Sequence, residues 1–133
     1  MKTAVIYWSG TGNTEAMAKA AAEGANAELF TVSEFSGSIA DYDAIAFGCP
    51  AMGAEVLEED EFEPFFTDIE SSLSGKKVLL FGSYGWGDGQ WIRDWEETCK
   101  SAGVTLVSEP VMANEAPDDE AVAACRALGE ALA

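Results

Sequence analysis

A chain of 133 residues, 48% of them hydrophobic, is long enough to bury the core of a single domain. Its 24 acidic and 7 basic residues give a formal net charge of -17, which excludes nucleic acid as a partner, because duplex binding needs its phosphates neutralised. The absence of histidine removes the commonest general base and metal ligand, and no apolar run approaches the roughly 18 residues that span a bilayer.

The first strand begins at the start of the chain, Lys2 to Trp8, and leaves no room for a signal peptide, so a cytoplasmic location and no membrane partner are expected. Helix one follows over Asn13 to Glu23, with Asn13 as its cap. Glu28 to Val32 reads as strand two, and a polar, Ser-rich passage leads to strand three over Asp43 to Gly48. Cys49 to Asp60 reads as a loop. Helical spacing resumes from Glu61 to Leu73 through Phe62, Phe65, Phe66, Ile69 and Leu73. Strand four covers Lys76 to Ser83, a further helix Trp91 to Ala102, strand five Val104 to Met112 and a last helix Asp118 to Leu132. Strands alternating with helices through short loops predict an α/β fold, a parallel sheet with helices on both faces, in one domain over residues 1–133. Cys49, Cys99 and Cys125 are odd in number and far apart, which suits packing rather than disulfides or zinc.

In such sheets ligands bind beyond the carboxyl ends of the strands. Three loops of unusual composition leave those ends and converge on one rim. Ser9-Gly10-Thr11-Gly12-Asn13-Thr14 joins strand one to helix one, and its bare amides at a helix N-terminus suit a phosphate. The loop has no Lys or Arg, no Lys-Ser/Thr after its glycines and no dinucleotide glycine spacing, so a single phosphomonoester fits it best. Pro50-Ala51-Met52-Gly53-Ala54-Glu55 brings a polarizable thioether to cover a flat ring, a glycine free to take positive φ, and a carboxylate to accept from a ring N–H. Tyr84-Gly85-Trp86-Gly87-Asp88-Gly89, which follows the site residue Ser83 at the end of strand four, sets a tryptophan between glycines, where it offers a face for stacking.

On these three segments the chain resembles the short-chain flavodoxins, small FMN-binding electron carriers, and the resemblance runs over essentially the whole length. It implies a doubly wound five-stranded parallel sheet of order 2-1-3-4-5, whose fifth strand lacks the insertion of long-chain members. By the resemblance, Ser9, Thr11, Asn13 and Thr14 contact the FMN phosphate, Trp86 stacks on the outer ring face and Met52 covers the inner face. Glu55 would meet the N3 side, while Gly85 to Gly89 would line the pyrimidine edge and ribityl chain. Two positions depart from the pattern. Pro50 stands where some relatives have a serine, and Ala54 follows Gly53 where Asp, Asn or Ser is more usual, which disfavours a turn that needs positive φ at residue 54.

The implied function is a low-potential one-electron carrier, not an enzyme, that works through the neutral semiquinone/hydroquinone couple of non-covalently bound FMN. A monomer is expected, with redox partners whose docking surfaces are basic. From Glu55 to Glu70 stand eight acids and no base, a solvated helix face that also suits such docking. An alternative is a flavin-binding, quinone-reductase-like protein. A phosphatase of similar fold needs a Cys with an Arg six residues on, but Glu55 stands at that distance from Cys49. A phospho-acceptor domain needs acids where Tyr7-Trp8 and Phe47-Gly48 lie.

Overall fold

β1 (Thr3–Tyr7) and β3 (Ala44–Gly48) are buried at every residue, as near-continuous apolar runs must be when both sheet faces are covered. They pair in parallel from Thr3↔Ala44 to Tyr7↔Gly48. β2 (Glu28–Thr31) lies on the other edge of β1, and β4 (Lys77–Tyr84) pairs with β3 from Ala44↔Lys77 to Gly48↔Phe81. The computed structural model describes residues 3–10, 12–35, 38–51, 58, 61–73, 75–85 and 89–132. The parallel sheet has the order 2-1-3-4-5.

The fifth position is filled by two segments, β5 (Thr105–Leu106) and β6 (Val111–Asn114), each paired with β4. This corrects the expectation of one uninterrupted strand from Val104 to Met112. Between Val78↔Leu106 and Phe81↔Val111, β4 contributes two residues and the fifth strand four, 107–110. The surplus leaves the strand register over residues 107–110, where Pro110 has no N–H to donate.

Strand alternation divides the core into two layers. Ala4, Ile6, Ile45, Phe47, Val78 and Leu80 face α2 (Phe62–Ile69) and α3 (Gln90–Ser101). Val5, Tyr7, Ala44, Ala46, Leu79 and Phe81 face α1 (Asn13–Ala25) and α4 (Asp119–Leu132). The aromatic layer under α2 is joined to α3 by edge contacts of Trp95 with Phe62 and Phe66, at centroid separations of 5.3 and 5.5 Å. Where the sequence suggested helix to Leu73, α2 ends at Ile69 and a 3₁₀ turn carries Glu70–Ser72. Among its described residues, the Ser-rich crossover holds a 3₁₀ turn, Ile39–Asp41.

α1 and α4 meet through small residues. A Cβ on Gly24 would overlap the Arg126 carbonyl oxygen, and one on Gly129 would overlap the carbonyl oxygen of Ala21. Each helix presses a glycine against the other's backbone, and neither carbonyl can rotate away within a helix. Gly129→Ala therefore removes close helix contact and is expected to cost about 1–3 kcal/mol, the usual penalty of overpacking. Urea denaturation of the variant beside the wild type measures it.

Candidate functional site

The strand ladders run past the strand ends and build a rim. Trp8 donates its amide to the Gly48 carbonyl at 3.0 Å, Cys49 to Phe81 at 3.2 Å and Ala51 to Ser83 at 2.9 Å, while Glu115 donates to Tyr84 at 2.6 Å. These bonds hold the loops after β1, β3, β4 and β6 side by side. Between them opens a cleft of about 540 Å³, a size ordinary for a small-molecule site. Trp8, Pro50, Ala51 and Tyr84 give it apolar walls, and Gly10, Asn13, Ser83 and Gly85 bring it polar groups and backbone. Glu115 and Ala116 complete the lining, which contains no Lys or Arg among the described residues.

At one end of the cleft stands the start of α1. Asn13 is not its cap, contrary to the sequence expectation. Gly12 holds that position at φ 94°, because glycine alone takes this left-handed turn without a Cβ penalty. The capping oxygen comes from Ser9, whose Oγ accepts the amides of Gly12 at 3.0 Å and Glu15 at 3.3 Å. With the oxygen so engaged, the Ser9 hydroxyl proton is still available to a ligand. The amides of Asn13 and Thr14, in the first helical turn, have no intrahelical acceptor. Thr14 Oγ1 and Ser83 Oγ lie 3.0 Å apart, buried, and bridge α1 to β4. Two hydroxyls in one bond use one proton and leave the other to donate. These neutral donors fit a phosphate group.

Of the expected site residues, the structure brings Ser9, Gly10, Gly12, Asn13, Thr14, Pro50, Ala51, Ser83, Tyr84 and Gly85 to this rim, with Gly89 capping α3 at φ 92°. Thr11, Met52, Gly53, Ala54, Glu55, Trp86, Gly87 and Asp88 lie outside the described residues. Sequence reasoning passed over Trp8, Glu115 and Ala116. The parity of β1 pointed to Trp8, which continues the face of Ala4 and Ile6. Glu115 carried no local signal, since its place follows from where β6 ends.

The acidic run is also corrected at one residue. Glu58 is buried, its Oε1 accepting the amides of Glu61 at 2.8 Å and Phe62 at 2.7 Å. It serves the N-terminus of α2, where a carboxylate satisfies orphan amides and the helix dipole favours its charge. Glu61, Glu63 and Asp68 remain exposed.

A family model described as flavodoxin matches residues 5–129. The chain belongs to the flavodoxin family. It is 47% identical to a flavodoxin of Megasphaera elsdenii over 97% of this chain and 96% of that protein, and 46% identical to one of Clostridium beijerinckii over 97% of each. The solution structure of the two-electron reduced Megasphaera elsdenii flavodoxin superposes with a TM-score of 0.84 at 44% identity, over 98% of this chain and 97% of that one. Flavodoxins bind FMN and transfer electrons, and the chain is an FMN-binding electron carrier, not an enzyme. No helix among the described residues is long and apolar enough to cross a membrane.

Thiol chemistry at the rim is closed off as well. Burial pushes the Cys49 thiol from its ordinary 9.0 up to about 12, with the Glu58 charge adding to the rise and the Glu58 amide opposing it. Burial raises Cys99 and Cys125 to about 12 too. A protonated, buried thiol is no nucleophile. Tyr7 and Tyr42 rise from 10.0 to about 12, through burial first and then the hydrogen-bonded carboxylates of Glu15 and Glu28. All five groups keep their protons when the unfolded chain loses them, so their contribution to stability is whole below pH 9 and is lost as the pH rises toward 12. Denaturant midpoints between pH 8 and 11 are expected to fall in that direction. Native protein at pH 8 should leave an aromatic disulfide reagent unreacted, and all three cysteines should titrate after unfolding.

Proposed function

We propose that this protein is a low-potential one-electron carrier of one domain, residues 1–133, that shuttles electrons between redox enzymes through non-covalently bound FMN. The observation that carries this reading is a helix start whose neutral donors fit an anion and which opens into an apolar cleft without a cation in its described lining. Ser9, Gly10, Thr11, Gly12, Asn13 and Thr14, with Ser83, would hold the phosphate. Met52 and Trp86 would cover the two ring faces, Glu55 would take the ring N–H, and Pro50, Ala51, Gly53, Ala54, Tyr84, Gly85, Gly87, Asp88 and Gly89 would line the remainder.

Bound FMN supplies the electron chemistry, and the protein supplies position and field. A protein at -17 with Glu115 on the cleft wall makes added negative charge costly there. That field favours a low potential between the one-electron- and two-electron-reduced states of the cofactor. The same charge suits a monomer that stays soluble in the cytoplasm and meets redox partners through basic docking surfaces, with no membrane or nucleic acid involved.

Three measurements test the reading. Apoprotein is expected to bind FMN at least about 100-fold more tightly than riboflavin, since two or more charge-assisted hydrogen bonds are lost with the phosphate; equal affinities would remove the phosphate anchor. Trp86→Ala should weaken FMN binding by about 1–3 kcal/mol if the indole stacks on the ring. Electron exchange with a basic redox protein is expected to slow steeply with added salt, because steering by charge is screened. A rate indifferent to salt would rule out steering.

A further inference from the structure

Four hydrogen bonds form a closed circuit at the rim. The Trp8 amide donates to the Gly48 carbonyl at 3.0 Å, joining the ends of β1 and β3. Cys49, the residue that follows β3, accepts on Sγ the amide N–H of Glu58 at 3.3 Å. Glu58 Oε1 accepts the amide of Glu61 at 2.8 Å, and Glu61 Oε2 accepts the indole Nε1–H of Trp8 at 2.7 Å. Cys49 is itself held on its backbone from three sides. Its amide is bonded to Phe81, its carbonyl accepts the Trp91 indole at 3.0 Å, and Gly82 lies so close that a Cβ there would overlap that carbonyl.

The circuit ends on a ring that lines the cleft. Trp8 is half-buried, with one side packed on the aromatic core layer and the ring reaching toward the first loop, where a Cβ on Gly10 would sit 3.0 Å from Cη2. A tryptophan at a strand end has two side-chain torsions to choose, and its only polar atom is Nε1. Here that atom is bonded to a carboxylate whose own backbone amide is held by Glu58.

We propose that Trp8 is a further cofactor-binding residue, a wall of the FMN cleft, and that Glu61 is its positioning residue, acting through the indole Nε1–H. This rests on the reading of the cleft as the FMN site. Glu61 thereby has a task separate from the general negative charge of α2, because its oxygen selects one orientation of the ring. Glu58 and Cys49 support it by holding the Glu61 backbone against the end of β3.

The test is the FMN dissociation constant of the reconstituted wild type and four variants, read from quenching of flavin fluorescence, with circular dichroism of each apoprotein as a check on folding. Trp8→Phe keeps a ring but loses the donor, and Glu61→Ala loses the acceptor. Each is expected to weaken binding about three- to tenfold, the worth of one hydrogen bond. The double variant should be no weaker than the worse single one, since both remove the same bond. Glu61→Gln retains an acceptor oxygen without the charge and should stay within about twofold of wild type. Affinities unchanged in Trp8→Phe, or losses that add in the double variant, would overturn the proposal. So would Glu61→Gln as damaging as Glu61→Ala, because charge and not the bond would then be responsible. A wild-type protein that takes up no FMN overturns the electron-carrier reading along with it, whereas uniform affinities across the series overturn this inference alone.

Discussion

Successive side chains of a strand leave on opposite faces, and the parallel register of β1, β3 and β4 carries that alternation unbroken to the rim. Everything about the site follows from it. Ser83, two residues beyond Phe81, falls on the α1 side and meets the hydroxyl of Thr14. Cys49, two beyond Phe47, falls on the α2 side and meets the amide of Glu58. Trp8, two beyond Ile6, falls on that side as well and reaches Glu61. A slip of β4 by one residue against β3 would turn Ser83 away from Thr14 and put its hydroxyl under the aromatic layer.

The electrostatic design separates two uses of negative charge. Acids exposed on α2 create a field that reaches into solvent and weakens with salt. Glu58 is the exception. It is buried, with its oxygen bonded to two amides at a positive helix end, and so contributes to local order. The helix-start end of the cleft, where we place the phosphate, offers neutral donors: the amides of the first turn and the hydroxyl protons left over from Ser9 and the Thr14–Ser83 pair. Neutral donors can hold an anion there without easing the negative field elsewhere in the cleft, as a lysine would.

Glycines make these approaches possible at a few places that differ in kind. Gly12 is needed for its backbone, since φ 94° at the helix start would strain any residue with a Cβ. Gly82 is needed for its missing side chain, because the Cys49 carbonyl occupies that space and is there bonded to Trp91. Gly24 and Gly129 bring α1 and α4 into backbone contact and so fix the far layer against which β1 and β4 lie.

Much of the fold was legible in the chain itself. Buried strands announce themselves as apolar runs such as Ala44 to Gly48, and helices as periodic faces such as Phe62, Phe66 and Ile69, because both patterns follow from local geometry. The three rim loops were legible for the same reason, their glycines and hydroxyls being local devices. The break at 107–110 was not, since it depends on how many residues β4 offers opposite it. Neither was the cap of α1, which Ser9 supplies across the loop in place of Asn13, nor the burial of Glu58 within an acidic run that reads as uniform surface. By itself the sequence determined the alternating elements, the parallel sheet and the three loops that meet at its rim. Only the tertiary structure decided which acid is buried and which indole is tied to which carboxylate, because those choices rest on contacts between residues such as Trp8 and Glu61 that lie 53 positions apart.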